Sequence, residues 1–243
     1  MSHTQPPVEA GSRPTAASAV FPRGVFVTGT DTGIGKSVAS ASLLHALRAR
    51  GLRAVGMKPV ASGCELTSEG WRNEDALLLQ AASAPRPHYD DVNPYALPQP
   101  LAPELAAAQA GVEIALATIL AAHARLAAQS DTVVVEGVGG WAAPISATLD
   151  QIDLVRALDL PVVLVVGLRL GAINHARLSA RAIQADGARL VGWIANDIDP
   201  QMARADDNFE ILCRRLPVPC WGRLPYLASP DPQALAGRLQ PLS

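Results

Sequence analysis

The residues able to do chemistry concentrate early in the chain. Gly29-Thr30-Asp31-Thr32-Gly33-Ile34-Gly35-Lys36-Ser37 combines three glycines, an ammonium, a carboxylate and three hydroxyls in nine positions. Glycines let backbone N–H groups close around phosphate oxygens, and a helix opening at Gly-Lys-Ser adds unsatisfied donors and a positive dipole end. Lys36 is placed to reach outer phosphates and the Ser37 hydroxyl to ligate Mg2+. The spacing departs from the usual pattern: five residues separate Gly29 from Gly35-Lys36, and Thr30 stands where the first glycine is expected.

Three more groups extend this chemistry. Lys58 precedes Pro59 at the end of an apolar run. It is either a solvated strand-end charge or a cation facing the crevice where open parallel sheets bind ligands. Asp75 is either an ordinary acidic residue in a first helical turn or a Mg2+ ligand. Glu136 ends Val133-Val134-Val135 and is followed by Gly137-Val138-Gly139-Gly140, a backbone able to approach a ligand closely. In nucleotide-hydrolysing sheets an acid at that position holds Mg2+ directly or through water. Lysine is scarce: the chain holds 18 Arg and only two Lys, Lys36 and Lys58. Either a compositional bias toward Arg spared two positions, or both lysines serve one shared site, since a compact ammonium and a planar guanidinium do not interchange at a tight phosphate site.

The elements that must position these groups follow from hydrophobic patterning. Val25-Phe26-Val27 reads as a buried strand before the phosphate loop, and residues 38–50 as a helix with Leu43, Leu44 and Leu47 on one face. A second strand is predicted over residues 53–60, a polar loop over 65–72, and a helix over 76–82. Residues 84–103 are dense in proline and read as an irregular excursion outside the core. A helix over 113–129 leads to the strand ending at Glu136. Further strands are predicted over 161–167, 190–195 and 218–224, with helices opening near Gly171 to His175 and over 200–215. Asn174 is placed to bond backbone or to meet an anion at the helix start, and His175 reads as structural. The alternation predicts a single α/β domain: a doubly wound, mostly parallel sheet of about seven strands with helices on both faces.

Composition narrows the function classes. Apolar residues make up 49% of 243 and aromatics only 4%, which suits a core of Val, Leu, Ile and Ala around a parallel sheet. A net charge of −2 supplies no global field for nucleic acid or an anionic membrane. Cys64, Cys213 and Cys220 lack metal-ligand spacing and are too few for a disulfide framework, which points to a reducing cytoplasm. Apolar runs are too short to span a bilayer. Residues 1–20, rich in Pro, Ala, Ser and Gly, read as a mobile tail rather than a secretory signal.

Taken together, the motifs resemble the ATP-dependent dethiobiotin synthetase family. The carriers are Val27-Thr28-Gly29-Thr30-Asp31-Thr32 with Gly35-Lys36-Ser37, Lys58-Pro59-Val60-Ala61-Ser62-Gly63, Arg72-Asn73 with Asp75-Ala76, Val92-Asn93-Pro94-Tyr95, Glu136-Gly137 with Gly139-Gly140-Trp141, Gly171 with Asn174-His175-Ala176, and Asn196-Asp197. The resemblance implies a phosphate-loop NTPase-like fold. It also implies a reaction of biotin biosynthesis, in which 7,8-diaminononanoate, CO2 (from bicarbonate) and ATP give dethiobiotin, ADP and phosphate through a carbamate and a carbamic–phosphoric anhydride.

By the same resemblance, Gly33, Ile34, Gly35, Lys36, Ser37 and Val38 would surround the ATP phosphates, with Gly137, Val138 and Gly139 opposite. Ser37, Asp75 and Glu136 would hold Mg2+, and Lys58 would be the catalytic lysine between carbamate and γ-phosphate. Ser62 would contact the diamine or carbamate. Asn196, Asp197 and Pro225-Tyr226-Leu227 would surround adenine. Members are homodimers in which the helix start matching Gly171 to Asn174 of the partner subunit holds the substrate carboxylate. Departures are Ser37 for the commoner Thr and Val138 for the commoner Ala. Two alternatives share the phosphate loop. A corrinoid-type amidoligase would need an ammonia source, and no glutaminase region is visible. A partition-type ATPase typically carries an early second loop lysine, where this chain has Thr30, Asp31 and Thr32.

Overall fold

The computed structural model describes residues 21–241. The expected tail over residues 1–20 lies outside them. Six strands form the central sheet: β1 (Gly24–Gly29), β2 (Ala54–Met57), β3 (Thr132–Glu136), β4 (Val162–Leu168), β5 (Leu190–Asp197) and β6 (Cys220–Leu224). Their spatial order is β6-β5-β4-β1-β3-β2, and every pairing is parallel. The principal helices are α1 (Lys36–Ala49), α2 (Glu74–Ala82), α3 (Leu116–Ala128), α4 (Gln151–Leu158), α5 (Ala172–Ala185) and α6 (Ala205–Arg215).

The sheet is apolar on both faces, as crossover helices require. Val133 and Val135 join one core with Ile119 of α3, Leu154 of α4, Ile183 of α5 and Leu212 of α6. Val134 points the other way, with Val25, Val27, Leu43 and Leu44 of α1 and Leu79 of α2. This two-residue alternation turns the triple-valine run into the contact between two helical layers. Leu43, Leu44 and Leu47 are fully buried, each contributing about 1.5–3 kcal/mol.

Four expectations change. The central sheet has six strands among the described residues rather than about seven; the remaining short strands pair outside it. The second strand stops at Met57 instead of running to residue 60, because Pro59 cannot donate to a ladder. Val60–Ser62 instead pairs in parallel with Tyr95–Leu97. Residues 65–72 are an antiparallel hairpin, Glu65–Thr67 against Gly70–Arg72, not a loop. The proline-dense segment is not outside the core: Tyr89, Val92, Asn93, Tyr95 and Leu97 are all buried. Its backbone also supports β2's end, since Lys58 N donates to Val92 O at 2.7 Å.

Candidate active site

Strand order brings the site together. β3 lies between β1 and β2, with Met57 in register with Val135 and Val27 with Glu136. One step past Met57, Lys58 therefore emerges beside Glu136 at the carboxyl edge of the sheet. The phosphate loop leaves β1 at the same edge. A cleft of about 390 Å3 opens there, lined by Thr32, Gly33, Gly35, Lys36, Ser37 and Val38, by Lys58, Ala61 and Ser62, and by Asn73, Asp75, Glu136, Val138 and Gly139.

The loop is built for an anion. Gly35, in the left-handed region at φ 81°, caps α1, and no side chain or first-turn acid occupies the helix's free N–H donors. A Cβ on Gly35 would collide with the Asn196 amide, whose Nδ2 donates to Ile34 O at 2.9 Å. Ile34 is itself buried, so the loop is anchored in the core from one side and by β5 from the other. Lys36 Nζ donates to Asp31 O at 2.8 Å, and Arg169 pairs with the Asp31 carboxylate. Burial, and next the charge of Lys58, pull the Lys36 ammonium down from 10.5 to about 8, against the opposing pull of Glu136, Asp75 and Asp31.

Opposite the loop sits a buried ionic cluster. Lys58 Nζ is 2.5 Å from Glu136 Oε1, 3.2 Å from Asp75 Oδ2 and 3.4 Å from Gly137 O. Burial disfavours its charge, but Glu136 and then Asp75 outweigh burial and hold the ammonium above its usual range. Burial likewise opposes the Asp75 carboxylate, and Lys58, Ser37 and Lys36 overcome it, leaving Asp75 below the ordinary range. Ser37 Oγ donates to Glu136 Oε1 at 2.8 Å, while Glu136 Oε2 is buried without a partner. An unpartnered buried carboxylate oxygen beside a hydroxyl and a second carboxylate is an all-oxygen donor set that fits Mg2+.

Residues that the sequence analysis did not assign hold these groups. Asn93 Nδ2 donates to Lys58 O at 2.7 Å, and its Oδ1 accepts from Tyr89 OH at 3.1 Å. Tyr89 OH accepts from Asn73 N at 2.8 Å, and Asn73 caps α2, the helix that carries Asp75. One chain of hydrogen bonds thus fixes Lys58 and Asp75 together. Gln151, fully buried, clasps the glycine-rich turn: its Nε2 donates to Gly140 O at 2.5 Å and Trp141 O at 3.2 Å, and its Oε1 accepts from Val138 N at 3.0 Å. A Cβ at Gly137 would strike that same Oε1, which is why a glycine stands there. Asn93 could have been singled out as a polar residue among apolar ones in the Val92-Asn93-Pro94-Tyr95 stretch; nothing local marks Gln151.

The remaining candidates lie apart from this cleft. Asn196 is buried behind the loop, bonded to Ile34 O, and does not line the cleft. The Asp197 carboxylate is engaged by Arg223 at 3.0 Å, and Arg223 also reaches Asp206 at 2.6 Å. Pro225, Tyr226 and Leu227 follow β6, with Tyr226 and Leu227 exposed. Gly171 caps α5 at φ 94°, and it and Asn174 are exposed outside the cleft lining.

Comparison with known proteins agrees with this construction. Residues 23–234 match a family described as "AAA domain". A protein of Xanthomonas euvesicatoria pv. vesicatoria (strain 85-10) named "ATP-dependent dethiobiotin synthetase BioD" is 68% identical over 215 residues, covering 88% of this chain and 96% of that one. A protein of the same name from Xylella fastidiosa (strain 9a5c) is 64% identical over 217 residues, covering 89% and 96%. Among solved structures, a MinC:MinD cell division protein complex of Aquifex aeolicus is similar with a TM-score of 0.53 at 15% identity, covering 90% of this chain and 87% of that one; it bears on fold alone. With a phosphate loop, a buried lysine–carboxylate cluster and identity of this extent along nearly the whole length of its relatives, the chain belongs to the ATP-dependent dethiobiotin synthetase family.

Proposed function

We propose that the chain forms dethiobiotin, for biotin biosynthesis, from 7,8-diaminononanoate, CO2 and ATP. The observation that carries the assignment of roles is the single cleft lined by Lys36, Lys58 and Ser62 together. One amine of the diamine adds to CO2 and loses a proton, giving a carbamate. A carbamate oxygen then attacks the γ-phosphorus of ATP and the bond to ADP breaks. The second amine attacks the carbonyl carbon of the mixed anhydride, expels phosphate and loses a proton, closing the ureido ring. Phosphoryl transfer of this kind demands positioning and charge neutralisation more than covalent help from the protein.

The residues divide that work. The α1 N-terminus and Lys36 bind the triphosphate. Ser62, across the cleft, faces the carbamate end of the diamine. Lys58, which lines the same cleft, would meet the charge that develops as phosphorus changes partners. Ser37, Asp75 and Glu136 would hold Mg2+, which when bound neutralises phosphate charge. Asn196 and the segment Pro225 to Leu227 border the nucleoside side. The exposed helix start from Gly171 to Asn174 fits a carboxylate and is assigned to the substrate of a partner subunit in a homodimer. No helix of the described residues is long and apolar enough to cross a membrane, and the site of action is taken to be the cytoplasm.

The test is direct. Purified protein with Mg-ATP, bicarbonate and 7,8-diaminononanoate should yield dethiobiotin by mass spectrometry, and ATP hydrolysis should require the diamine. Absence of product, or equal hydrolysis without diamine, overturns the proposal. Light scattering of the purified chain tests the dimer.

A further inference from the structure

Arginines in this structure generally have partners. Arg53, Arg125, Arg169, Arg204, Arg214 and Arg223 pair with carboxylates, and Arg48, Arg50 and Arg156 donate to backbone carbonyls. Six arginines, Arg23, Arg177, Arg181, Arg189, Arg215 and Arg238, make no ion pair and no side-chain hydrogen bond among the described residues, and Arg177, Arg181 and Arg215 are the three of these that share a groove. These three converge on one groove of about 180 Å3 between α5 and the end of α6, floored by Ala180 and flanked by Gln184 and Leu216. No acidic side chain lines it.

Convergence of this sort works against the fold. Arg177 and Arg181 are four apart on α5, where like charges repel and weaken a helix. Arg215 adds a third positive charge from a second element, in a chain whose net charge is −2. The C-terminal dipole of α6 accounts for Arg215, which stands in its last turn. It does not account for Arg177 and Arg181, which lie in the middle of α5. A bound anion would remove the repulsion. Planar guanidinium forks favour bidentate oxyanions, and the Gln184 amide adds a neutral donor. The volume is below the few hundred Å3 typical of sites for larger organic ligands, so the ligand is compact.

We propose that this groove is an anion site, separate from the catalytic cleft, that binds a small phosphate-bearing anion. Neither Lys36 nor Lys58 borders it.

Inorganic pyrophosphate is the probe, titrated by calorimetry at about 0.15 M ionic strength. Because the phosphate loop would also bind it, the Lys36→Gln protein serves as the background. Pyrophosphate should still bind that variant. Adding Arg177→Gln, Arg181→Gln and Arg215→Gln should weaken binding on the order of tenfold or more, and Arg181→Gln alone should weaken it partially. The triple arginine substitution on its own should leave ligase turnover unchanged. Loss of all binding in Lys36→Gln overturns the proposal, as does unchanged affinity after the triple substitution. Two other results overturn it by reassigning the arginines. A changed oligomeric mass with unaltered pyrophosphate affinity makes the groove a subunit contact. Binding to phosphatidylserine vesicles without binding to pyrophosphate makes it a membrane-facing patch.

Discussion

The Lys58 ammonium sits 2.5 Å from one oxygen of Glu136, while the other oxygen of the same carboxylate is buried with no partner. The two charges depend on each other. Removing one member of a buried pair strands the other and costs about 3–5 kcal/mol. Lys58→Gln should therefore do two separable things. Turnover should fall by orders of magnitude with nucleotide binding largely kept, and the ligand-free protein should melt at a lower temperature. Mg-ATP should raise the variant's melting temperature more than the parent's, because a bound cation restores positive charge beside Glu136. Near-normal turnover in this variant would make the lysine peripheral to the reaction.

Lys36 gives a pH dependence with a defined sign. Its pKa is depressed from 10.5 to about 8, so between those values the unfolded chain binds more protons than the folded one. The group therefore opposes folding below about pH 8, and its contribution to stability improves as pH rises from there to about 10.5. Phosphate binding runs the other way, since it needs the ammonium. Affinity for Mg-ATP should fall as pH is raised above about 8, with proton uptake on binding detectable by calorimetry in buffers of different ionisation enthalpy. Constant affinity up to pH 10 would show that Lys36 does not hold phosphate as a cation.

The same depression makes Lys36 the more reactive of the only two lysines. Lys58 is shielded by burial and by its carboxylates. An amine-directed reagent at mild alkaline pH should label Lys36 first and inactivate the enzyme, with Mg-ATP protecting. Peptide mass spectrometry showing Lys58 labelled ahead of Lys36 would contradict this ordering.

Gln151 should matter to nucleotide binding without touching the nucleotide. Gln151→Leu keeps the bulk but leaves Gly140 O and Val138 N without their partner, at about 1–3 kcal/mol for each buried group left unsatisfied. The turn lining the cleft at Val138 and Gly139 should loosen, raising the KM for ATP more than it lowers kcat. Gln151→Glu, which keeps the acceptor and loses the donor, should restore only part of the effect. Equal loss in both parameters, or none, would assign Gln151 to packing alone.

Gly35→Ala joins a strained left-handed φ of 81° to a collision with Asn196. Nucleotide binding should be lost, measured by equilibrium titration. Asn196→Ala in the same chain should relieve the collision but not the backbone strain, so rescue should be partial.

Local spacing made part of this site legible in the sequence. The phosphate loop, the acid closing a valine strand and the lysine before Pro59 each announce themselves within a few residues. The contacts among them do not. Lys58 and Glu136 are 78 positions apart, and only the insertion of β3 between β1 and β2 makes them neighbours. Residues 84–103 misled for a related reason. Proline density records the lack of a continuous ladder, not exposure, so the segment supplies Asn93 and Tyr89 to the site from irregular but buried backbone. Residues 65–72 lacked the apolar alternation of a half-buried strand because both strands of the hairpin lie on the surface, with Leu66 68% exposed.

The strand order has a further effect on how the molecule comes into being. Lys36, Lys58 and Glu136 issue from β1, β2 and β3, joined by parallel crossovers that bring together residues far apart in the chain. Such topologies fold slowly, because loop-closure entropy is spent before the pairing is gained. No nucleotide seat exists until the middle of the sheet has assembled. Nascent or clipped chains ending before β3 hold the glycine-rich loop, Lys58 and Asp75 but lack Glu136 and the strand that sets them side by side. Nucleotide capture is thus a late event in maturation, and during refolding ATP should retard unfolding without hastening the rate-limiting assembly of the sheet.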